Sequence, residues 1–93
     1  MKSQVAFGRA LRLLREHRQM SQEDFSDVSG RTYISMLERG QKSPTIEKVD
    51  QLSSALGVHP LTLLAATFAE RDGVGHQQLL ERVQAELSEL KKL

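Results

Sequence analysis

The chain has 93 residues, of which 39% are hydrophobic and 27% charged, and its formal net charge is +1. These values favour one small globular domain, and the absence of cysteine excludes a disulfide scaffold and a thiolate metal site. No apolar run approaches the roughly 20 residues of a membrane span, and the N-terminus lacks a signal-peptide core, so we expect a soluble cytoplasmic protein.

The basic side chains are unevenly distributed along the chain. Residues 1–20 carry five basic side chains and one acidic, and residues 31–48 carry four basic and two acidic. Helices with such an excess can attract a polyanion, although charged side chains also form the ordinary solvated faces of helices. Charge alone therefore does not identify a partner.

Apolar residues recur at helical spacing through most of the chain, which predicts an all-α fold. We expect a compact five-helix domain over residues 1–71, with helices near 4–17, 22–28, 31–39, 46–56 and from residue 60 onward. Ser21 and Thr45 are predicted N-caps, and Gly40 is a predicted left-handed stop. The predicted inward residues of the last three helices are Ile34, Leu37, Ile46, Val49, Leu52, Leu56, Leu61 and Leu64.

Residues 71–75 are a predicted linker, and residues 76–93 a C-terminal amphipathic helix. Its apolar positions are spaced three, four and three apart, as in a coiled-coil seam, at Leu80, Val83, Leu87 and Leu90. About two and a half heptads are marginal alone, so the helix packs either on its own domain or on the same helix of a second subunit. The glycine-bearing linker favours pairing, which makes these four residues dimerisation candidates.

Two short predicted helices, 22–28 and 31–39, are joined by a tight turn at Ser29 and Gly30. This is the helix-turn-helix arrangement, in which the second helix enters the DNA major groove. The start of that helix is expected to reach base edges and the chain after it to contact phosphates. The base-reading candidates are Arg31, Thr32, Tyr33 and Met36, and Arg39, Gln41 and Lys42 are phosphate candidates.

Several segments in order, SQEDF, RTYISMLERG and SPTIEKVDQLSSALGVHPLTLL, resemble the Cro- and phage-repressor-like helix-turn-helix family, also called the xenobiotic-response-element family. The resemblance covers about residues 4–70. It implies a compact five-helix domain that binds duplex DNA, usually as a homodimer. It also places Gln22 and Ser35 among the phosphate candidates and pairs Glu38 with Arg15 in a structural ion pair.

The segment from Gln22 to Tyr33 is about two residues shorter than the family pattern. The second helix or its turn is therefore expected to be shortened. Either the recognition helix is tilted differently in the groove, or Val28 supplies a core contact from a shifted position.

The sequence thus predicts a transcriptional regulator, a repressor rather than an activator, that binds duplex DNA as a homodimer on an inverted repeat. One alternative is an antitoxin-like module whose C-terminal helix binds a different protein, and another is the controller of a restriction–modification system. No enzyme motif is present, and the three histidines are too dispersed for a metal site. We expect no cofactor and no small-molecule effector.

Overall fold

The computed structural model describes residues 1–91, which form helices and connecting turns without a strand. This confirms the predicted all-α fold. The α-helices are α1 (Ser3–His17), α2 (Arg31–Glu38), α3 (Ile46–Leu56), α4 (Pro60–Asp72) and α5 (His76–Leu90), and a 3₁₀ turn spans Gln22–Phe25. The predicted end of the last helix at residue 93 lies outside the described residues.

The core lies between α1, α2, α3, α4 and the 3₁₀ turn. Its fully buried large apolar side chains are Leu11, Phe25, Ile34, Leu37, Leu52 and Leu63. Helix α1 packs mainly against α4 and also against α2. Helix α5 contributes no buried residue, so the first four α-helices and the 3₁₀ turn hold the fold.

The predicted second helix over 22–28 is wrong in type and length. The chain makes one 3₁₀ turn from Gln22 to Phe25 and then two turn hydrogen bonds, from the N–H groups of Val28 and Ser29 to the carbonyl of Phe25. Short 3₁₀ turns are common as connectors between helices. Phe25 is fully buried and Val28 packs against the same core, which fits the second of the two expectations for the shortened segment.

The predicted boundaries of α2 and α3 are confirmed by their caps. Gly40 has φ +73°, the left-handed conformation that favours glycine, and a Cβ there would contact Val5. The Thr45 hydroxyl accepts a hydrogen bond of 3.1 Å from the N–H of Lys48. The loop from residue 41 to 45 is thus fixed at both ends.

Two predicted core residues, Ile46 and Leu61, are exposed, with exposed fractions of 88% and 66%. Both lie in the first turn of a helix, and each lines an apolar groove rather than the core. In α4 the buried face is centred on Leu63 and Thr67. The Thr67 hydroxyl donates a hydrogen bond to the Leu63 carbonyl at 2.8 Å. The spacing of apolar residues did not predict this buried face, because threonine is counted as polar even where its hydroxyl is buried and hydrogen-bonded.

The predicted linker is shorter than expected, since α4 continues to Asp72 and only residues 73–75 separate it from α5. Within the described residues no single helix is long and apolar enough to cross a membrane. Helices α3 and α4 together meet that length and composition, but the chain bends by 106° between them.

Candidate nucleic-acid interface

Helix α2 has one buried face and one exposed face. Ile34 and Leu37 are fully buried, while Arg31 and Thr32 in its first turn are exposed. Ser35 and Met36 are half-buried and lie at the edge of the exposed face. The first turn of α2 therefore exposes Arg31 and Thr32 at the end that is expected to meet base edges, while Tyr33 of the same turn packs against the core.

A buried ion pair holds α2 against α1. The Arg15 guanidinium donates from Nε to Glu38 Oε2 at 2.6 Å and from Nη2 to Oε1 at 2.9 Å. The two side chains are only 12% and 5% exposed, and the hydrogen bonds from Arg15 to Glu38 raise the pKa of Arg15 above its ordinary value. Arg15 also donates to the Met20 carbonyl at 2.8 Å. The pair thus fixes the orientation of α2. Because each charge already has a partner, neither is expected to contact DNA.

Gln22, a phosphate candidate, belongs to the same network. Its amide donates to Glu38 Oε1 at 3.1 Å and its side chain is half-buried. Gln22 therefore couples the 3₁₀ turn to α2. The amide nitrogen carries two N–H donors, so Gln22 can donate to a phosphate through the second without breaking this hydrogen bond.

The close approach of α1 and α2 requires glycine at position 8. A Cβ on Gly8 would lie 2.7 Å from the carbonyl oxygen of Glu38 and would also clash with that of Leu37. The reason for this glycine becomes clear only from the contact between the two helices.

Arg31 is bound to Glu23 in the described structure, with Nη1 2.9 Å from Oε1. Both side chains are about 70% exposed, and exposed ion pairs contribute roughly 0–1 kcal/mol. Arg31 can therefore exchange this carboxylate for a base edge or phosphate at little cost. Glu23 is a member of the surface that sequence reasoning missed.

Tyr33 lies between the surface and the core rather than fully on the surface. Its half-buried ring packs against the core cluster, and Lys48 Nζ lies 5.7 Å from the ring centroid. The same ammonium donates to the Val28 carbonyl at 3.0 Å. Lys48 thus ties the first turn of α3 to the turn before α2, a role that its position in the sequence did not reveal.

The remaining phosphate candidates follow α2. Arg39, Gln41 and Lys42 are exposed, and Arg39 Nε lies 3.4 Å from the Ser35 carbonyl. Gln4 of α1 stabilises this loop, since its amide donates to the Gly40 carbonyl at 2.8 Å and accepts from the Ser43 hydroxyl at 3.0 Å. The loop therefore presents two cationic side chains from a backbone that is held in place.

The predicted dimerisation residues lie on α5, away from this surface. Leu80, Val83, Leu87 and Leu90 are 52%, 38%, 55% and 61% exposed. Within residues 73–91, only Leu79, at the edge of the same stripe, and Val74 before the helix are half-buried. Among the described residues, no group of three or more His, Asp or Glu side chains could hold a metal ion.

Comparison with known proteins identifies this arrangement. The family model described as helix-turn-helix matches residues 11–63, which is more than half of the chain and includes the 3₁₀ turn, α2 and α3. The chain belongs to the Cro- and phage-repressor-like helix-turn-helix family. The family predicted from the sequence motifs is thereby confirmed, and α5 lies outside the matched region.

Individual relatives agree with this assignment. The helix-turn-helix protein is 39% identical over 66 residues to the control protein C.BamHI of Bacillus amyloliquefaciens, covering 68% of this chain and 82% of the relative. It is 38% identical over 56 residues to the uncharacterised regulator y4dJ of Sinorhizobium fredii, covering 58% and 73%. The crystal structure of the restriction-modification controller protein C.AhdI from Aeromonas hydrophila superposes with a TM-score of 0.61 at 34% identity, covering 64% of this chain and 94% of that one.

Proposed function

We propose that this helix-turn-helix protein is a sequence-specific transcriptional regulator that binds an inverted-repeat operator in duplex DNA as a homodimer. The observation that carries the proposal is the exposure of Arg31 and Thr32 at the start of α2, while the Arg15–Glu38 pair fixes the helix behind them. A rigid helix with an exposed polar face fits the major groove, where each base pair presents a distinct pattern of donors and acceptors.

The exposed loop after α2 is the proposed phosphate contact. Arg39 and Lys42 carry positive charge there, and the bonds from Gln4 restrain the loop before any DNA binds. A restrained loop loses less conformational entropy on binding than a mobile one. Base reading by α2 and phosphate binding by this loop therefore act from one rigid unit.

The proposed dimer uses the unburied stripe of α5. Two recognition helices in a dimer would contact half-sites about 34–36 Å apart, one turn of B-DNA. We expect repression rather than activation. Similarity to C.BamHI and C.AhdI also supports a controller of a restriction–modification system as the biological setting, which would be tested by binding to the DNA upstream of the protein's own gene.

A protein-interaction role is the second candidate, because α5 offers four exposed apolar side chains and lies outside the matched family region. In that case a different protein, as in an antitoxin-like pair, would occupy α5. Purification of the full chain from its source under low salt separates the two roles: a stoichiometric foreign partner supports the second, and a complex of two identical chains supports the first.

We expect Arg31→Ala to relax specificity at one base position of each half-site. A good bidentate base contact contributes about 1–3 kcal/mol of discrimination. The wild-type protein should therefore prefer one base at that position by up to roughly a hundredfold in affinity, and the variant should lose this preference. Competition binding against a complete set of single-base operator variants measures this. A uniform loss over all positions would assign Arg31 to phosphate binding instead.

We expect Lys42→Ala to weaken binding to every sequence by a similar factor. One lost phosphate contact lowers the slope of log K against log salt concentration by about 0.9, without changing the order of preferred sites. Titrations at several salt concentrations test this. Arg82→Ala removes the same charge from α5 and serves as the matched control, for which the slope should stay at the wild-type value; a Lys42 variant that behaves like this control contradicts the assignment.

A further inference from the structure

An apolar groove lies between α1, α4 and the start of α5. Its volume is about 820 Å³, and three small side chains of α4, Ala65, Ala66 and Ala69, contribute to its lining. Leu13 of α1 and Leu61 of α4 stand at its edges with 67% and 66% of their surface exposed. Large apolar side chains exposed to this degree beside a groove mark a surface that binds another apolar surface.

The chain also carries a second unsatisfied apolar surface, the stripe of α5. Leu80 at its start lines the end of the groove, so the groove and the stripe are continuous. Beyond Leu80 the helix leaves its own domain, because Val83, Leu87 and Leu90 are 38% to 61% exposed. The helix therefore closes only one end of the groove in its own chain.

The two surfaces match in length and side-chain size. Leu80 and Leu90 are ten residues apart, about 15 Å along a helix, and Leu61 to Ala69 span about 12 Å along α4. Large leucines on one helix pack well against a floor of alanines on another, since large and small side chains then interdigitate.

The charges at the rim of the groove are balanced within the chain, because Arg9 pairs with Glu70 at 3.3 Å and Arg12 pairs with Glu16 at 3.6 Å. All four side chains are at least 46% exposed, and exposed pairs of this kind contribute roughly 0–1 kcal/mol. Residues 77–90 of α5 carry three glutamates and one arginine, so a glutamate of an incoming α5 can take the place of Glu70 or Glu16 beside either arginine.

We propose that α5 of a second copy of this chain occupies the groove between α1 and α4, and that the exchange is reciprocal. This rests on the proposed homodimer and specifies its contact. Pairing of α5 with α5 alone would bury the stripes but leave Leu13 and Leu61 exposed in both copies, whereas exchange covers both surfaces at once. A two-fold arrangement of this kind is isologous and closed.

The absence of cysteine in the natural sequence allows a direct test by disulfide formation. Full-length chains carrying Leu13→Cys are mixed with chains carrying Val83→Cys, Leu87→Cys or Leu90→Cys and oxidised mildly. Exchange predicts that at least one mixture gives a covalent dimer containing one chain of each kind, while each α5 variant alone stays largely uncrosslinked. Ala85→Cys is the control, because position 85 lies on the opposite face of α5, and its mixture should not crosslink.

Two results would overturn the exchange. Efficient disulfide formation by an α5 variant alone, with none in the mixtures, would assign the contact to α5 paired with α5 and leave the dimer intact. A sedimentation mass of one chain for the wild type at micromolar concentration would exclude both arrangements. DNA binding is measured separately on the unmodified chain, so a wild-type dimer that crosslinks as expected but selects no DNA sequence contradicts the proposed function and not the exchange.

Discussion

Arg15→Met should lower the free energy of unfolding by about 3 kcal/mol, because removal of one partner of a buried ion pair leaves the other charge without compensation. Glu38 is only 5% exposed and would keep a single hydrogen bond, from Gln22. In a domain of this size the melting temperature should fall by about 12–24 °C. Urea unfolding followed by circular dichroism measures the effect.

The matched control is Arg9→Met on the same helix. Arg9 pairs with Glu70 at 3.3 Å, but the two side chains are 60% and 46% exposed, so the loss should stay below about 1 kcal/mol. The double variant Arg15→Met with Glu38→Met should be destabilised by less than the sum of its two single variants, since no buried charge is then left unpaired. Equal losses for the Arg15 and Arg9 variants would show that the pair does not hold α2 in place.

Val83→Glu combined with Leu87→Glu should separate the proposed dimer and reduce affinity for an inverted repeat by about a hundredfold or more, because linked half-site binding is lost. Affinity for an isolated half-site should not change, since neither side chain is buried and α5 contributes nothing to the core. Sedimentation and titration of both DNA sites test this expectation.

Gln78→Glu combined with Ala85→Glu adds the same two negative charges on the opposite face of α5. This control should remain dimeric and bind the inverted repeat with nearly wild-type affinity. If both double variants lose affinity equally, electrostatic repulsion from DNA explains the loss. If neither does, the stripe is not the dimer contact.

The sequence predicted most of the fold because its local signals agree with one another. The threonine cap of α3, the left-handed glycine after α2 and the spacing of Ile34 and Leu37 all specify helices that pack as observed. The exceptions have physical reasons. The segment from Gln22 forms only a 3₁₀ turn, and the exposed Ile46 and Leu61 lie in first turns where each lines an apolar groove rather than the core.

The candidate site was harder to predict because its organisation depends on distant parts of the chain. The candidates of α2 are local and were found from spacing. In contrast, Gln4 and Lys48 act on backbone carbonyls 36 and 20 positions away, and Glu23 meets Arg31 only because the 3₁₀ turn brings them together. The sequence pattern gives the type of side chain at each position, but it does not indicate which backbone atoms those side chains contact in the fold.

Selection from a random pool of duplex DNA by the purified full chain at physiological salt tests the central claim most directly. We predict enrichment of an inverted repeat whose half-sites are one turn apart, about 34–36 Å, which would demonstrate sequence-specific recognition and a two-fold complex together. Salt-sensitive binding without any enriched sequence would contradict the account, because phosphate contacts alone produce that result.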